Sequence, residues 1–243
     1  MILRPFLHAE SVAISYLFGC GGKATGAVVD PVGDIEPYLH AAEATGMRID
    51  YVIDTHIHAD HVSAGRRLAA AASARYALSA DAAAAPGFVA VRDRDVIELG
   101  NVSVEIWNTP GHTPEHVSLL VTDRTRSSEP WFVMTGHTLM VGDVGRAELA
   151  ATAEEGARAL FASLKRLKAL PDYVEVLPGA FSGSVCGRSL SGKPFSTIGF
   201  ERRHNGAFRI AEESEFIRFK SMDIPLPPPG AAELRAVNAG LAA

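Results

Sequence analysis

Cysteine is scarce: Cys20 and Cys186 are the only two in 243 residues. Two thiols cannot build a disulfide framework, so a reducing, cytoplasmic setting is expected. Positive charge is not in excess either. Lys and Arg number 23 against 28 Asp and Glu, a formal net charge of −5, which excludes the basic footprint of a nucleic-acid-binding surface. The chain does not open with a basic stretch followed by an apolar one, so no signal peptide is expected. Long apolar runs are missing as well. The Ala-rich stretch over residues 69–85 is interrupted by Arg75 and Asp81 and stops at Pro86, too broken to cross a membrane. No internal repeat and no linker divides the sequence. What remains, 47% hydrophobic and 21% charged residues, describes an ordinary soluble globule. One domain is expected, with a core over about residues 11–205 and a C-terminal helix and Pro-rich tail over residues 206–243.

The most informative stretch runs from Tyr51 to Gly65, YVIDTHIHADHVSAG. Tyr51, Val52 and Ile53 form an apolar run that ends in Asp54 and Thr55, and His56, His58, Asp60 and His61 follow at once. A buried strand thus delivers four donor side chains to its exit. Imidazoles at i and i+2 of an extended segment face the same side, so His56 and His58 can grip one ion. Neutral imidazole is the commonest metal ligand, and a carboxylate beside it adds charge or orients a ring. The pattern predicts a metal site.

Around it the coarse structure can be read. Apolar runs over residues 14–18 and 27–30 flank Cys20-Gly21-Gly22 and predict a hairpin. Asp34 reads as the cap of a helix from Ile35 to about Ala44, stopped by Gly46. Residues 60–72 read as a helix that starts beside the metal. Strands are expected at 75–78, at 96–99 and 102–107 around Gly100-Asn101, and at 117–121, 131–134 and 173–177. A long helix over 148–170 is closed by Pro171. Strands alternating with helices in both halves imply an α/β fold, an αββα sandwich.

Three further stretches begin where an apolar strand ends. Asn108 to His116 reads NTPGHTPEH; Pro110 and Gly111 force a turn that presents His112 as a ligand. His116 is expected at the surface or behind the ligands. Val133 to Leu149 reads VMTGHTLMVGDVGRAEL and brings in His137, Asp143 and Arg146. Val176 to Asn205 opens with LPGAF, containing Ala180, and continues as GSVCGRSLSGKPFSTIGFERRHN, basic through Arg188, Lys193, Arg202 and Arg203.

H-x-H-x-D-H after a strand, followed by T-P-G-H-T-P, resembles the metallo-β-lactamase superfamily, and the fold this implies is a four-layer αββα sandwich. The segments GDVGRAEL, CGRSLS and STIGFERR are similar to those of the persulfide dioxygenases and their rhodanese-linked relatives. The resemblance covers Ser11 to about Asn205, and the Pro-rich tail after Asp223 matches nothing. Two positions depart from it. His137 stands where that branch has a metal-binding aspartate, and Ala180 where relatives carry a histidine for a second metal.

The resemblance therefore implies a mononuclear centre on His56, His112 and His137, with His58 close by. Asp60 and His61 remain as a half-site with catalytic roles, Asp60 as a candidate base. Arg146, Arg188, Lys193 and Arg202 are expected to bind the carboxylates of a glutathione-like thiol, and Cys186 to be a packing residue. The implied cofactor is one divalent metal, iron(II) ahead of zinc, since imidazole suits both. The expected activity is oxidation of glutathione persulfide, or a similar low-molecular-weight persulfide, to sulfite. The alternative is a mononuclear zinc hydrolase acting on a thioester or lactone; a third reading is a non-catalytic metal- or persulfide-binding protein. Expected partners are the small thiol or persulfide and a rhodanese-type sulfurtransferase. A homodimer is compatible with the sequence; no nucleic acid or membrane partner is expected.

Overall fold

The computed structural model describes residues 1–149, 151–222, 224 and 226–242. The chain runs β1 (Ile2–His8), β2 (Ala13–Cys20), β3 (Thr25–Val29), α1 (Glu36–Ala44), β4 (Arg48–Ile53), α2 (Gly65–Ala71), β5 (Arg75–Ser79) and β6 (Val89–Val91). It continues through β7 (Val96–Leu99), β8 (Val102–Asn108), β9 (Val117–Asp123), β10 (Phe132–Gly136), α3 (Ala153–Lys168), β11 (Glu175–Pro178) and β12 (Ser196–Thr197). Four helices end it: α4 (Ile198–His204), α5 (Gly206–Arg209), α6 (Glu213–Ser221) and α7 (Ala231–Asn238).

Two six-stranded sheets form, ordered β1-β2-β3-β4-β5-β6 and β12-β11-β10-β9-β8-β7. Side chains alternate across a strand, and both faces of each sheet are used. Ile14, Tyr16, Phe18, Val29 and Ile53 meet Leu99, Val104, Ile106, Leu119 and Phe132 in the core between the sheets. On the outer face of the first sheet, Leu17, Val28 and Val52 pack under Tyr38 of α1 and Leu68 of α2. On the outer face of the second, Val133 and Val176 pack under Leu160, Leu164 and Leu167 of α3 and Phe216 of α6. Burial on both sides explains why β2 and β10 are largely apolar and buried at every position, with Ser15 of β2 donating to the Asp30 carbonyl. Helix, sheet, sheet, helix is the αββα sandwich expected from the sequence.

Departures from the sequence reading have local causes. Strand β1 was not expected. It pairs antiparallel with β2 at the sheet's edge, where Pro5 is tolerated because its missing N–H faces outward. Residues 60–64 are not helical: α2 begins at Gly65. The main chain of that stretch is taken by Asn238 of α7, which donates to the carbonyls of His58 and His61 and accepts from Ser63 N. Helix α3 begins at Ala153 rather than 148, because Thr152 and Glu155 form a capping box there. No helix among the described residues is long and apolar enough to cross a membrane.

Candidate metal centre

Four strand exits meet at one end of the sandwich. β4 delivers His56 to His61, the β8–β9 connection His112 and His116, β10 His137, and β11 Ala180. The ring of His56 lies 4.1 Å from that of His58, 4.9 Å from those of His112 and His116, and 4.8 Å from that of His137. One ligand atom from each of His56, His112 and His137 lies within 4.8 Å of the others, and so it is for His58, Asp60 and His61. His56, His58 and His112 are 1% exposed and His137 not at all.

Hydrogen bonds decide which nitrogen each ring turns inward. Asp30 accepts from Thr55 N at 2.7 Å and from the Thr55 hydroxyl at 2.8 Å. Having given its proton to Asp30, that hydroxyl accepts from His56 Nδ1 at 2.9 Å, so Nε2 of His56 carries the lone pair. His112 Nδ1 donates to the Arg146 carbonyl at 2.9 Å, again leaving Nε2 as the lone pair. His58 Nε2 donates to Asp30 at 3.2 Å, leaving Nδ1.

The atoms that remain have nothing in the protein to bond. His56 Nε2, His58 Nδ1, His137 Nε2, Asp60 Oδ1 and both nitrogens of His61 are buried without a hydrogen-bond partner. Buried polar atoms are ordinarily paired, and a cluster of lone pairs facing one another fits a cation. His112 Nε2 and His137 Nδ1 lie 3.2 Å apart. Metal–nitrogen bonds of about 2.1 Å give ligand edges of about 3.0 Å at right angles and about 3.4 Å in a tetrahedron. The donor set suits iron(II) or zinc.

His116 is buried at 1% exposure, behind the ligands rather than at the surface, the second of the two places expected for it. Its Nε2 accepts from His137 N at 3.1 Å, and its Nδ1 lies 3.0 Å from the Thr109 hydroxyl. It thereby holds the backbone that presents His137, while its ring stacks on His56 at 23°. Gly136 permits this approach. Its φ is +47°, and a Cβ there would sit 2.5 Å from His116 Nε2 and 2.6 Å from Thr55 Oγ1.

Burial keeps most of these rings neutral. It pushes His56, His112 and His116 well below the ordinary imidazole range, with neighbouring imidazoles adding to the effect, and holds His137 at about 4. His58 is the exception. Burial lowers it, but the charge and hydrogen bond of Asp30, with Asp54 and Asp60, raise it to about 9. Burial would raise Asp60, but His61 beside it draws the carboxyl well below the usual range.

The basic residues expected around the substrate are dispersed. Arg146 is buried, pairs with Glu148, and donates to the carbonyls of Val185 at 3.3 Å and Leu226 at 3.1 Å. It lines a cleft of about 500 Å³ together with Glu148, Pro228, Glu233 and Arg235. Arg188 donates to the Met222 carbonyl at 2.5 Å and lies over Phe219, tied to α6. Arg202 pairs with Asp172 and donates to the Lys168 and Leu170 carbonyls at the end of α3. Lys193 donates to the Phe195 carbonyl and lines a groove with Glu175 and Phe200. Asp172 and Glu175 lie at the start of β11, whereas the histidines gather beyond its end, so Arg202 and Lys193 are not brought to the centre.

Other residues hold the histidine loop without having stood out in the sequence. Glu115 accepts from Ile57 N at 3.0 Å, Arg235 donates to the Ile57 carbonyl at 2.8 Å, and Asn238 binds three main-chain groups from His58 to Ser63. For Asp30 there was a signal: a carboxylate ending the buried run Val28-Val29 must have a partner. Arg235 and Asn238 gave none. The Cys186 thiol, which burial pushes well up, is 1% exposed and 3.9 Å from Asp60 Oδ2.

An αββα sandwich with a divalent-metal donor set at its strand exits defines a class of metal-dependent protein. The metallo-β-lactamase superfamily model matches residues 13–179, and the chain belongs to that superfamily. It is 34% identical over 163 residues to the hydroxyacylglutathione hydrolase of Methylococcus capsulatus, covering 66% of this chain and 59% of that protein's length. It is 25% identical over 231 residues to the human mitochondrial persulfide dioxygenase ETHE1, covering 93% of this chain and 84% of that one. The crystal structure of a metallo-β-lactamase from Staphylococcus aureus subsp. aureus COL superposes with a TM-score of 0.93 at 33% identity, over 98% of this chain and 72% of that one. ETHE1 from Myxococcus xanthus gives 0.83 at 28% identity, over 99% of both chains. Its relatives thus include both persulfide dioxygenases and hydroxyacylglutathione hydrolases.

Proposed function

We propose that the protein is a metal-dependent persulfide dioxygenase that oxidises glutathione persulfide, or a similar low-molecular-weight persulfide, to sulfite. One observation carries the reading: the converged imidazoles of His56, His112 and His137 sit in a chain that matches ETHE1 from end to end. The hydrolase relative is matched over 66% of this chain. Iron(II) held by these three nitrogens would supply the redox chemistry and the positions for dioxygen and sulfur.

The protein's own part is positional. Thr55 and the Arg146 carbonyl keep His56 and His112 in the tautomers that turn Nε2 inward. Three neutral ligands leave the positive charge of a cation uncompensated, which favours an anionic persulfide. The cleft rimmed by Arg146 and Arg235 is the place assigned to the substrate's carboxylates. Asp60, kept ionised, is the candidate base only in the alternative reading, a zinc hydrolase with water as nucleophile.

The test is oxygen uptake by protein purified and iron-loaded without air. Persulfide-dependent uptake with sulfite as product is expected. Tightly held zinc, no uptake, and hydrolysis of a glutathione thioester would overturn it in favour of a zinc hydrolase, the reading that the 34% identity to the Methylococcus enzyme supports.

A further inference from the structure

We propose that Cys186 is a metal ligand, forming with Asp60 and His137 a second donor set beside the three-imidazole one. Ligand atoms of Asp60, His137 and Cys186 lie within 4.8 Å of one another. Two of them point to a cation independently of the thiol. Asp60 Oδ1 and His137 Nε2 are buried without a hydrogen-bond partner, and His137 is 0% exposed. His137 Nδ1 faces His112 at 3.2 Å; Nε2 of the same ring takes the second ion, and a ring that bridges two ions gives up its one N–H proton to solvent as the second binds.

The spacing is close to that of a bound ion. Zinc–sulfur and zinc–oxygen bonds of about 2.3 and 2.0 Å place the two ligands about 3.5 Å apart in a tetrahedron. The Cys186 thiol donates to Asp60 Oδ2, the other oxygen of that carboxylate, at 3.9 Å; this is a few tenths of an ångström from that geometry, and an ion between them would replace the thiol proton. The loop that carries the thiol is fixed from both sides. Arg146 N donates to the Cys186 carbonyl at 2.9 Å, while the amides of Arg188 and Ser189 donate to Asp143 at 2.6 and 3.0 Å.

The place Cys186 fills also accounts for a loss elsewhere. Ala180, at the exit of β11, is buried and has no donor atom. Cys186 enters from the same connection a few residues later and offers sulfur beside Asp60. His61, 3.0 Å from Asp60 with neither nitrogen hydrogen-bonded, is the available fourth ligand. A carboxylate, imidazole and thiolate together suit zinc. The inference rests on the reading of the histidine cluster as a metal centre and not on the reaction proposed for it.

Metal-free protein of residues 1–243, titrated with cobalt(II) in the absence of air and followed by absorption and metal analysis, tests this. At saturation the wild type is expected to show thiolate-to-cobalt charge-transfer absorption and to hold one ion per chain more than Cys186→Ser. In Cys186→Ser that absorption disappears, and the additional ion binds at least about 100-fold more weakly. No such absorption in the wild type, or its persistence in Cys186→Ser, overturns the proposal. Should Cys186→Ser not fold, Asp60→Asn decides: unchanged thiolate absorption there excludes the donor set. Oxygen uptake by iron-loaded portions of the same metal-free preparations separates the two readings. Thiolate absorption without iron-supported uptake counts against the reaction alone, and uptake without thiolate absorption counts against Cys186 alone.

Discussion

The two donor groups at this centre are neighbours built in opposite ways. In the first, His56 and His112 each have the outward nitrogen held by a fixed partner, and His116 pins the backbone of His137. Burial favours the neutral form of all three rings, reinforced by neighbouring imidazoles and outweighing the nearby carboxylates at His112 and His137. In the second, His61 has no hydrogen bond to either nitrogen, and His58 is drawn toward the charged form by Asp30. One group is shaped before a cation arrives; the other must give up a proton and order its rings to take one. A site of the first kind spends less entropy on binding. The difference teaches that ligand identity in a motif does not rank affinity, whereas the partners behind each ligand do.

The sharpest way to break the comparison is to remove a ligand from the ordered group. His112→Ala is expected to weaken iron binding by at least about 100-fold and abolish persulfide-dependent oxygen uptake; near-stoichiometric iron in that variant would refute the assignment. Asp30→Asn strikes both groups at once, through Thr55 and His56 on one side and His58 on the other. It should cost about 10–100-fold in metal affinity, read by competition with a chelator.

Acid separates the groups by sign. His137 has a folded-state value of about 4 against about 6.5 unfolded. Its stabilisation is therefore whole above about pH 6.5 and is lost as pH falls toward 4. At pH 5 that one ring has given up about 2 kcal/mol, and His56, His112 and His116 act in the same direction. His58 acts oppositely, stabilising below about 6.5 and ceasing to do so as pH rises through about 9. The metal-free protein should melt at clearly lower temperature at pH 5 than at pH 7; a flat profile would mean the rings are not held neutral.

A smaller effect is expected from His137→Asp, which places a carboxylate in the ordered group. Iron affinity should rise several-fold with oxygen uptake retained, as measured by iron titration; a gain in thioester hydrolysis instead would favour the zinc reading. Smallest is Arg202→Ala. Its partners are Asp172 and the end of α3, so less than about 1 kcal/mol of stability and no change in KM for the persulfide are expected. A large KM change would return Arg202 to the substrate's path.

Much of this was legible from residue order. The alternation of apolar runs with helices, and burial on both faces of strands such as β2, point to a layered sandwich. The exit of β4 announces its donors because His56, His58, Asp60 and His61 are adjacent in sequence. Elements set by distant partners were not legible. The stretch from Asp60 to Ala64 has a helical pattern, yet Asn238, far along the chain, takes its main-chain groups. Arg202 and Lys193 sit in a basic segment that looks built for carboxylates, but the chain turns them to the start of β11.

By itself, then, the sequence determined the class of fold, the presence of a metal-binding stretch and the identity of its local donors, since these depend on periodicity and near neighbours. Tertiary structure alone decided that His116 lies beneath the ligands, which nitrogen each imidazole turns inward, and that Cys186 comes to rest against Asp60. Those outcomes depend on hydrogen bonds between segments remote in the chain. Such contacts form only once the sheets have packed, and nothing in the spacing of residues encodes their direction.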